Sequence, residues 1–216
     1  MNKIFWLDPE FEPHFPDTSM ALNEPPGLLA AGGALSVDWL ISAYSKGIFP
    51  WFSEGEPILW WSPAPRCILL PEQFHLSRSL EKLDRQQKYL ISESTDFGAV
   101  IRFCAKQRQD SGTWITSDMI NAYCNLQKSG FAKSIECWNS NNELVGGLYG
   151  VSMGAVFFGE SMFSLEPNTS KLCLKKLIQS GRYHLIDCQQ ETSHLKSLGA
   201  SNIARDEFEA MLTEWT

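Results

Sequence analysis

The sequence contains no stretch approaching the roughly 18 apolar residues that a membrane-spanning helix requires. Its first twenty residues lack the apolar run of a secretory signal, being broken by Asp8, Glu10, Glu12, Pro13 and Pro16. Both absences point to a cytoplasmic chain with no membrane contact. The six cysteines, Cys67, Cys104, Cys124, Cys137, Cys173 and Cys188, form no C-x-x-C pair and no dense disulfide spacing, so reduced thiols are expected. The four histidines, His14, His75, His184 and His194, share no metal-ligand spacing with each other or with cysteines, and no metal is expected. The glycines of "LVGGLYG" are not followed by a helical pattern, which excludes a Walker loop and a dinucleotide fingerprint. Positive charge is in deficit, 18 Lys and Arg against 25 Asp and Glu giving a net −7, which argues against coating nucleic acid by bulk electrostatics but permits a local basic patch.

What is present suffices for one substantial core and a small satellite domain: 216 residues, 44% of them hydrophobic, with neither repeat nor low-complexity linker. Texture divides the chain. Residues 1–68 are rich in Pro, Gly and aromatics, and residues 69–216 turn from charged helical patterns to alternation, which places a packed junction near residue 70. In the first region, Ser36 as N-cap, the apolar set Val37, Leu40, Ile41 and Tyr44, and Gly47 at C′ predict a helix. "DFGAVIRFCAKQRQD" is a second, with Phe97, Val100, Ile101 and Cys104 inward; "SDMINAYCNLQKSG" is a third, capped by Ser117, striped by Met119, Ala122, Tyr123 and Leu126, and stopped at Gly130.

From Ala132 the period becomes two, with "NSNN" and Gly154 as turns, so three antiparallel strands are expected. A helix capped near Asn168, with Leu174, Leu177 and Ile178 inward, leads to a strand "HLIDCQ" that should enter beside the third. Strand, strand, strand, helix, strand is an α+β pattern with a mixed sheet.

Alternation on that last strand puts Leu185, Asp187 and Gln189 on one face; on the strand before it, Phe158, Glu160 and Met162 share a face and Phe157, Gly159 and Ser161 the other. If the strands are neighbours, Glu160, Asp187 and Gln189 converge on an apolar floor, a costly arrangement without partners. The alternatives are a turn-capping Asp187, a buried ion pair, and a Glu160 paired to a local lysine. "GESMF" is not a nucleophile elbow, because Phe163 stands where the second glycine is required. His194 reads as a surface or capping residue rather than a member of the polar network. Trp60 and Trp61, in "ILWW", read as packing; Trp51 and Trp114 lie beside turns and suit either packing or base stacking.

Several blocks together, "EPPGLLAAGGALS", "AYSKGIFPWFSEGEPILWWSPAPR", "TWIT", "LVGGLYGVSMGAVFFGESMFS", "NTSK" and "LIDCQ…HLKSLGA", closely resemble the bacterial leucyl/phenylalanyl-tRNA–protein transferases over nearly the whole chain. The resemblance implies transfer of Leu or Phe, with Met as a further group, from aminoacyl-tRNA to a protein beginning with Arg or Lys, creating a degradation signal. It implies a small N-terminal domain (1–68) and a C-terminal domain (69–216) with an acyl-CoA N-acyltransferase-like fold. The ester is already activated, so no cofactor is expected; a monomer is expected too.

The resemblance makes Asp187 and Gln189 the catalytic pair with Glu160 nearby: Asp187 to hold Gln189 and attract the ammonium, Gln189 for the amine and tetrahedral intermediate, Glu160 for the cationic acceptor. An aminoacyl pocket maps onto Leu148, Phe157, Met162, Leu174, Leu177 and Ile186. Tyr44, Trp51 and Trp114 are candidates for the 3′ end of the tRNA, and Arg66, Arg78, Arg85 and Lys88 for its acceptor stem. The segment between Glu160 and Asp187 is shorter than is usual in the family. Two rival functions are an acetyl-CoA-dependent N-acetyltransferase, disfavoured by the scarcity of glycine in "SMFSLEPNTSK", and a non-catalytic tRNA-binding module.

Overall fold

The computed structural model describes residues 4–107 and 114–216. The N-terminal region forms a four-stranded sheet from β1 (Phe5–Leu7), β2 (Leu28–Gly32), β3 (Phe49–Pro50) and β4 (Leu59–Trp61), in the order β1-β2-β4-β3. Only β1 and β2 run parallel; the other pairs are antiparallel. Helix α1 (Val37–Tyr44) lies between β2 and β3 in sequence and is capped as expected, the Ser36 hydroxyl accepting from the Trp39 N–H at 3.4 Å. Its buried stripe is Trp39, Leu40, Ala43 and Tyr44, displaced from the expected one: Val37 and Ile41 are only half-buried. Gly47 stands two residues beyond the cap at Ser45, with φ +70°, and a Cβ there would meet the Phe208 ring at 2.7 Å.

The larger sheet has seven strands, β5 (Arg66–Leu69), β6 (Leu90–Glu93), β7 (Ala132–Trp138), β8 (Leu144–Met153), β9 (Val156–Ser164), β10 (Leu185–Gln189) and β11 (Ser201–Ile203). Their order is β11-β5-β10-β9-β8-β7-β6, and every pair is antiparallel except β9 with β10. The β7-β8-β9 meander turns at "NSNN" and Gly154, and β10 enters beside β9, as the sequence pattern predicted. Among the described residues six further α-helices accompany the sheet: α2 (Arg78–Arg85), α3 (Phe97–Gln107), α4 (Ser117–Lys128), α5 (Thr169–Gln179), α6 (Ser193–Ser197) and α7 (Arg205–Trp215). Thr116, not Ser117, caps α4, its hydroxyl accepting from the Met119 N–H at 3.3 Å; Met119, Ala122, Tyr123 and Leu126 are buried as expected.

Strand alternation divides the core. Ile68, Tyr149, Phe158 and Leu185 pack on one face with α1, α3, α4 and α7, whereas Leu69, Leu148, Phe157 and Ile186 pack on the other with α2, α5 and α6. The arrangement is the expected α+β class, a small N-terminal sheet beside a mixed sheet with flanking helices. Trp60 has no exposed surface and packs edge-on against Phe15, at 4.9 Å between centroids, with its Nε1–H donating to Gly32 O at 2.8 Å. Each of the paired glycines of "LVGGLYG" permits a close approach on its own face of β8: a Cβ on Gly146 would lie 2.3 Å from the Thr169 hydroxyl of α5, and one on Gly147 would lie 2.8 Å from the Phe163 ring.

Candidate active site

Strand β10 stays in register with β9 only from Leu185 to Asp187, opposite Val156 to Phe158, while β9 continues against β8 to Ser164. Past Asp187 the strands part, and a cavity of about 320 Å³ opens there. Two irregularities shape it. On β9, Tyr149 faces Ser161 but Gly150 faces Gly159, leaving Glu160 as an extra residue without a partner on β8. On β10, the register with β5 shifts between Asp187 and Gln189, and Gln189 adopts a left-handed φ of +57°. Strict alternation, which separated Glu160 from Ser161, therefore fails at Glu160, whereas Ser161 and Met162 still alternate opposite Tyr149 and Leu148; all three residues line the cavity.

The same bulges decide what the two carboxylates do. Asp187 has no exposed surface and forms a bidentate ion pair with Arg66, itself 1% exposed, through Nε–H to Oδ1 and Nη2–H to Oδ2, both at 2.7 Å. Arg66 also lies over the rings of Phe49 and Phe208, at 5.0 and 4.6 Å from their centroids. Asp187 Oδ1 accepts a further bond from the Gln189 backbone N–H at 3.0 Å, which holds the turn that sends Gln189 toward the cavity. Asp187 does not line the cavity, so its expected attraction for an incoming ammonium is replaced by neutralisation within the core. The assignment of Arg66 to the tRNA acceptor stem is likewise corrected, because the guanidinium is inside the protein.

Glu160 faces the cavity with a different set of partners. Its Oε1 accepts from the Tyr44 hydroxyl at 2.7 Å and from Gln189 Nε2 at 3.4 Å, and its Oε2 from the Tyr123 hydroxyl at 3.1 Å. The two tyrosine hydroxyls also lie within hydrogen-bond distance of each other; each carries one proton, so when one donates to the other only the second still donates to Glu160. Burial raises the Glu160 carboxyl to about 7 against the opposing effect of these hydroxyls, with the Asp187 charge pushing the same way as burial. Both tyrosines are held well above their usual range, chiefly by burial and then by the Glu160 charge. Tyr44 has no exposed surface, so the expectation that it meets the 3′ end of a tRNA is corrected: its ring is packed in the core and its hydroxyl is committed to Glu160.

The remaining residues separate clearly. Leu148, Phe157, Met162, Leu174 and Ile186 line the apolar end of the cavity, joined by Leu69. Leu177 does not; it is 1% exposed and belongs to the core between α5 and the sheet. Trp51 and Trp114 both reach the cavity, and Trp51 is 40% exposed, fixed by the Trp61 Nε1–H donating to its carbonyl at 2.6 Å. Arg78, Arg85 and Lys88 lie on or just after α2 and are exposed, away from the cavity lining. Sequence reasoning missed Tyr123, Phe49 and His194 as parts of the site. Tyr123 carried a signal, a hydroxyl on a wholly apolar helix stripe that needed a partner. Cys188 also lines the cavity, but its thiol is pushed well above the usual range by its contact with Cys67 and by burial, which argues against a thiolate nucleophile.

Comparison with known proteins matches residues 68–213 to the leucyl/phenylalanyl-tRNA protein transferase family and residues 33–64 to that family's N-terminal domain. The chain belongs to this family. The relative named leucyl/phenylalanyl-tRNA–protein transferase in Pseudomonas fluorescens is 56% identical over 198 residues, covering 90% of this chain and 87% of its own. The one in Cellvibrio japonicus is 50% identical over 217 residues, covering 99% and 92%. Among solved structures, the crystal structure of FemX aligns with 81% of this chain and 70% of its own, at a TM-score of 0.46 and 10% identity.

Proposed function

We infer that this family member is an aminoacyl-tRNA–protein transferase, moving a leucyl or phenylalanyl group from tRNA to the α-amine of a protein that begins with Arg or Lys. The observation that carries this reading is the cavity itself, an apolar pocket of about 320 Å³ with Glu160 and Gln189 on its lining. Leu148, Phe157, Met162, Leu174 and Ile186 hold the side chain of the aminoacyl group. A pocket with a flexible methionine and a flat phenylalanine accepts both Leu and Phe, because one methylene is worth only about 1–3 kcal/mol of discrimination. Trp51, exposed and beside the cavity, supplies a stacking face for the terminal adenosine, a contact worth about 1–3 kcal/mol. Trp114 closes the same side.

In this reading Glu160 receives the cationic acceptor residue, and Gln189, presented by its left-handed backbone and hydrogen-bonded to Glu160, orients the attacking amine. Asp187 is a positioning residue that acts through the Gln189 N–H. Holding amine and ester together supplies much of the acceleration, since the ester needs no further activation. The protein is proposed to act as a monomer in the cytoplasm; no helix among the described residues is long and apolar enough to cross a membrane. Labelled Phe or Leu on charged tRNA, mixed with the protein and an Arg-initiated peptide, should yield labelled peptide. No product with any charged tRNA refutes the reading.

A further inference from the structure

Cys67 on β5 and Cys188 on β10 meet where the register between those strands breaks. Asp187 pairs with Ile68 and Gln189 with Cys67, so Cys188 is the extra residue of the bulge and shares Cys67 with Gln189. Both cysteines lie on the α5 face of the sheet: Cys67 belongs to the core there with Leu69 and Ile186, and Cys188 packs against it. Partners on antiparallel strands have Cα atoms about 4.5–5.5 Å apart, inside the span of about 4.4–6.8 Å that a disulfide bridges. Cys67 has no exposed surface, whereas Cys188 is half-buried and lines the cavity. Another contacting pair, Cys137 with Cys173, has no exposed surface on either member and no place on the cavity lining. A small oxidant entering the cavity therefore reaches Cys188 and the sulfur behind it. The two thiols also share a proton: the hydrogen bond from Cys188 holds the Cys67 thiol below its usual range, so the pair yields a thiolate more readily than an isolated buried cysteine.

We propose that Cys67 and Cys188 form a modification site, a dithiol that a peroxide converts to a disulfide, and that closing this bond switches off the cavity beside it. The bond requires only the strand geometry; the loss of activity also rests on the transfer reading above. The pair's thiolate attacks one peroxide oxygen, the O–O bond breaks, and hydroxide leaves from a new sulfenic acid. That hydroxide takes the proton of the second thiol. The second sulfur then attacks the sulfenic sulfur, the S–S bond forms, and a second hydroxide leaves to be protonated. Two thiols are oxidised, one peroxide is reduced, and two waters form. An S–S bond of about 2.05 Å is much shorter than the contact between two thiols, so closure draws Cys188 toward β5. Gln189 is next in the chain. Its N–H is held by Asp187 at 3.0 Å, and its side chain reaches Glu160 only at 3.4 Å, so a moving bulge takes it off Glu160.

The test treats the full chain with hydrogen peroxide, then maps its peptides by mass spectrometry without reduction and measures transfer from Phe-tRNA to an Arg-initiated peptide. The expected result is a peptide joining Cys67 to Cys188, a loss of transfer of about 10–100-fold that keeps pace with it, and reversal of both by dithiothreitol. Cys67→Ala removes a sulfur outside the cavity lining, so this variant should form no such peptide and keep its activity through the same treatment. No linked peptide, or one joining other cysteines, overturns the modification site. A bond between Cys67 and Cys188 that leaves transfer within about twofold of the untreated rate overturns the switch. So does a loss that dithiothreitol does not reverse, or an equal loss in Cys67→Ala. Failure of the transfer reading is distinct, since the untreated protein would then give no product while the linked peptide still decides the modification site.

Discussion

Replacing Asp187 by Leu strands a guanidinium that has 1% of its residue surface exposed and one nitrogen, Nη1, already without a hydrogen-bond partner among the described residues. Breaking a buried pair by removing one partner costs about 3–5 kcal/mol, more than the pair itself contributes, because the surviving charge stays desolvated. The rings of Phe49 and Phe208 at 5.0 and 4.6 Å offset part of this, which favours the lower end of the range. For a chain of this size 1 kcal/mol moves the unfolding midpoint by about 2–4 °C, so Asp187→Leu should lower it by about 6–20 °C. The double variant with Arg66→Met removes both charges and should recover stability to within about 1 kcal/mol of the parent, or exceed it. Activity should behave differently, because neither variant retains the carboxylate oxygen that accepts the Gln189 N–H at 3.0 Å. Urea unfolding followed by tryptophan fluorescence, with aminoacyl transfer measured on the same preparations, checks both parts. A single variant that loses less than about 1 kcal/mol, or a double variant as unstable as the single, refutes the energetic argument. A double variant with full activity refutes the positioning role of Asp187.

Three further outcomes follow from the site. Glu160, raised to about 7 in the folded protein, binds more protons there than in the unfolded chain between about pH 4.5 and 7, so its contribution to stability falls as pH rises through that window; in Glu160→Gln, pH-dependent unfolding should show that loss removed, and an unchanged profile contradicts the assignment. Trp51→Ala should weaken binding of charged tRNA by about 10–100-fold in a filter-binding assay while leaving the unfolding midpoint nearly unchanged, because the ring is 40% exposed; unaltered binding excludes stacking there. Leu148→Ala should cost about 2–5 kcal/mol of stability and widen the pocket, shifting kcat/KM toward Phe over Leu when the two charged tRNAs compete, whereas an unchanged ratio places the side chain elsewhere.

Much of this was readable from periodicity. The meander from Ala132 to Ser164 and the entry of β10 beside β9 follow from a period of two, two turn signals and a helix between the last strands. The site was legible in outline, because Glu160 and Gln189 interrupt apolar strands with groups that need partners. Its details were hidden where local rules break. The bulge at Glu160 and the left-handed turn at Gln189 each redirect one side chain, and neither leaves a trace in an alternating pattern. Tyr44 was hidden for another reason: its i, i+4 position marked it as buried, yet a 2.7 Å bond to a residue 116 positions away is a tertiary fact. Arg66 looked like a surface base beside aromatics until β5 paired with β10 and carried it inside.

Asp187 and Glu160 show how one fold gives two carboxylates opposite duties. Asp187 meets a fixed guanidinium at 2.7 Å on both oxygens, so its charge is neutralised internally and gains nothing from an incoming cation. Glu160 is surrounded by neutral hydroxyls, which support a charge without cancelling it, and burial has already brought its carboxyl to about 7. Near neutral pH it sits between its two forms, where a nearby positive charge favours the ionised one. Under the proposed function a cationic N-terminal residue would find its complementary anion at Glu160, with Asp187 holding Gln189 in place. The division depends on the N-terminal region, since Tyr44 comes from α1 and Phe49, against the Arg66 guanidinium, from β3. Loosening those elements would disturb the charge state of Glu160 and the burial of Arg66 together.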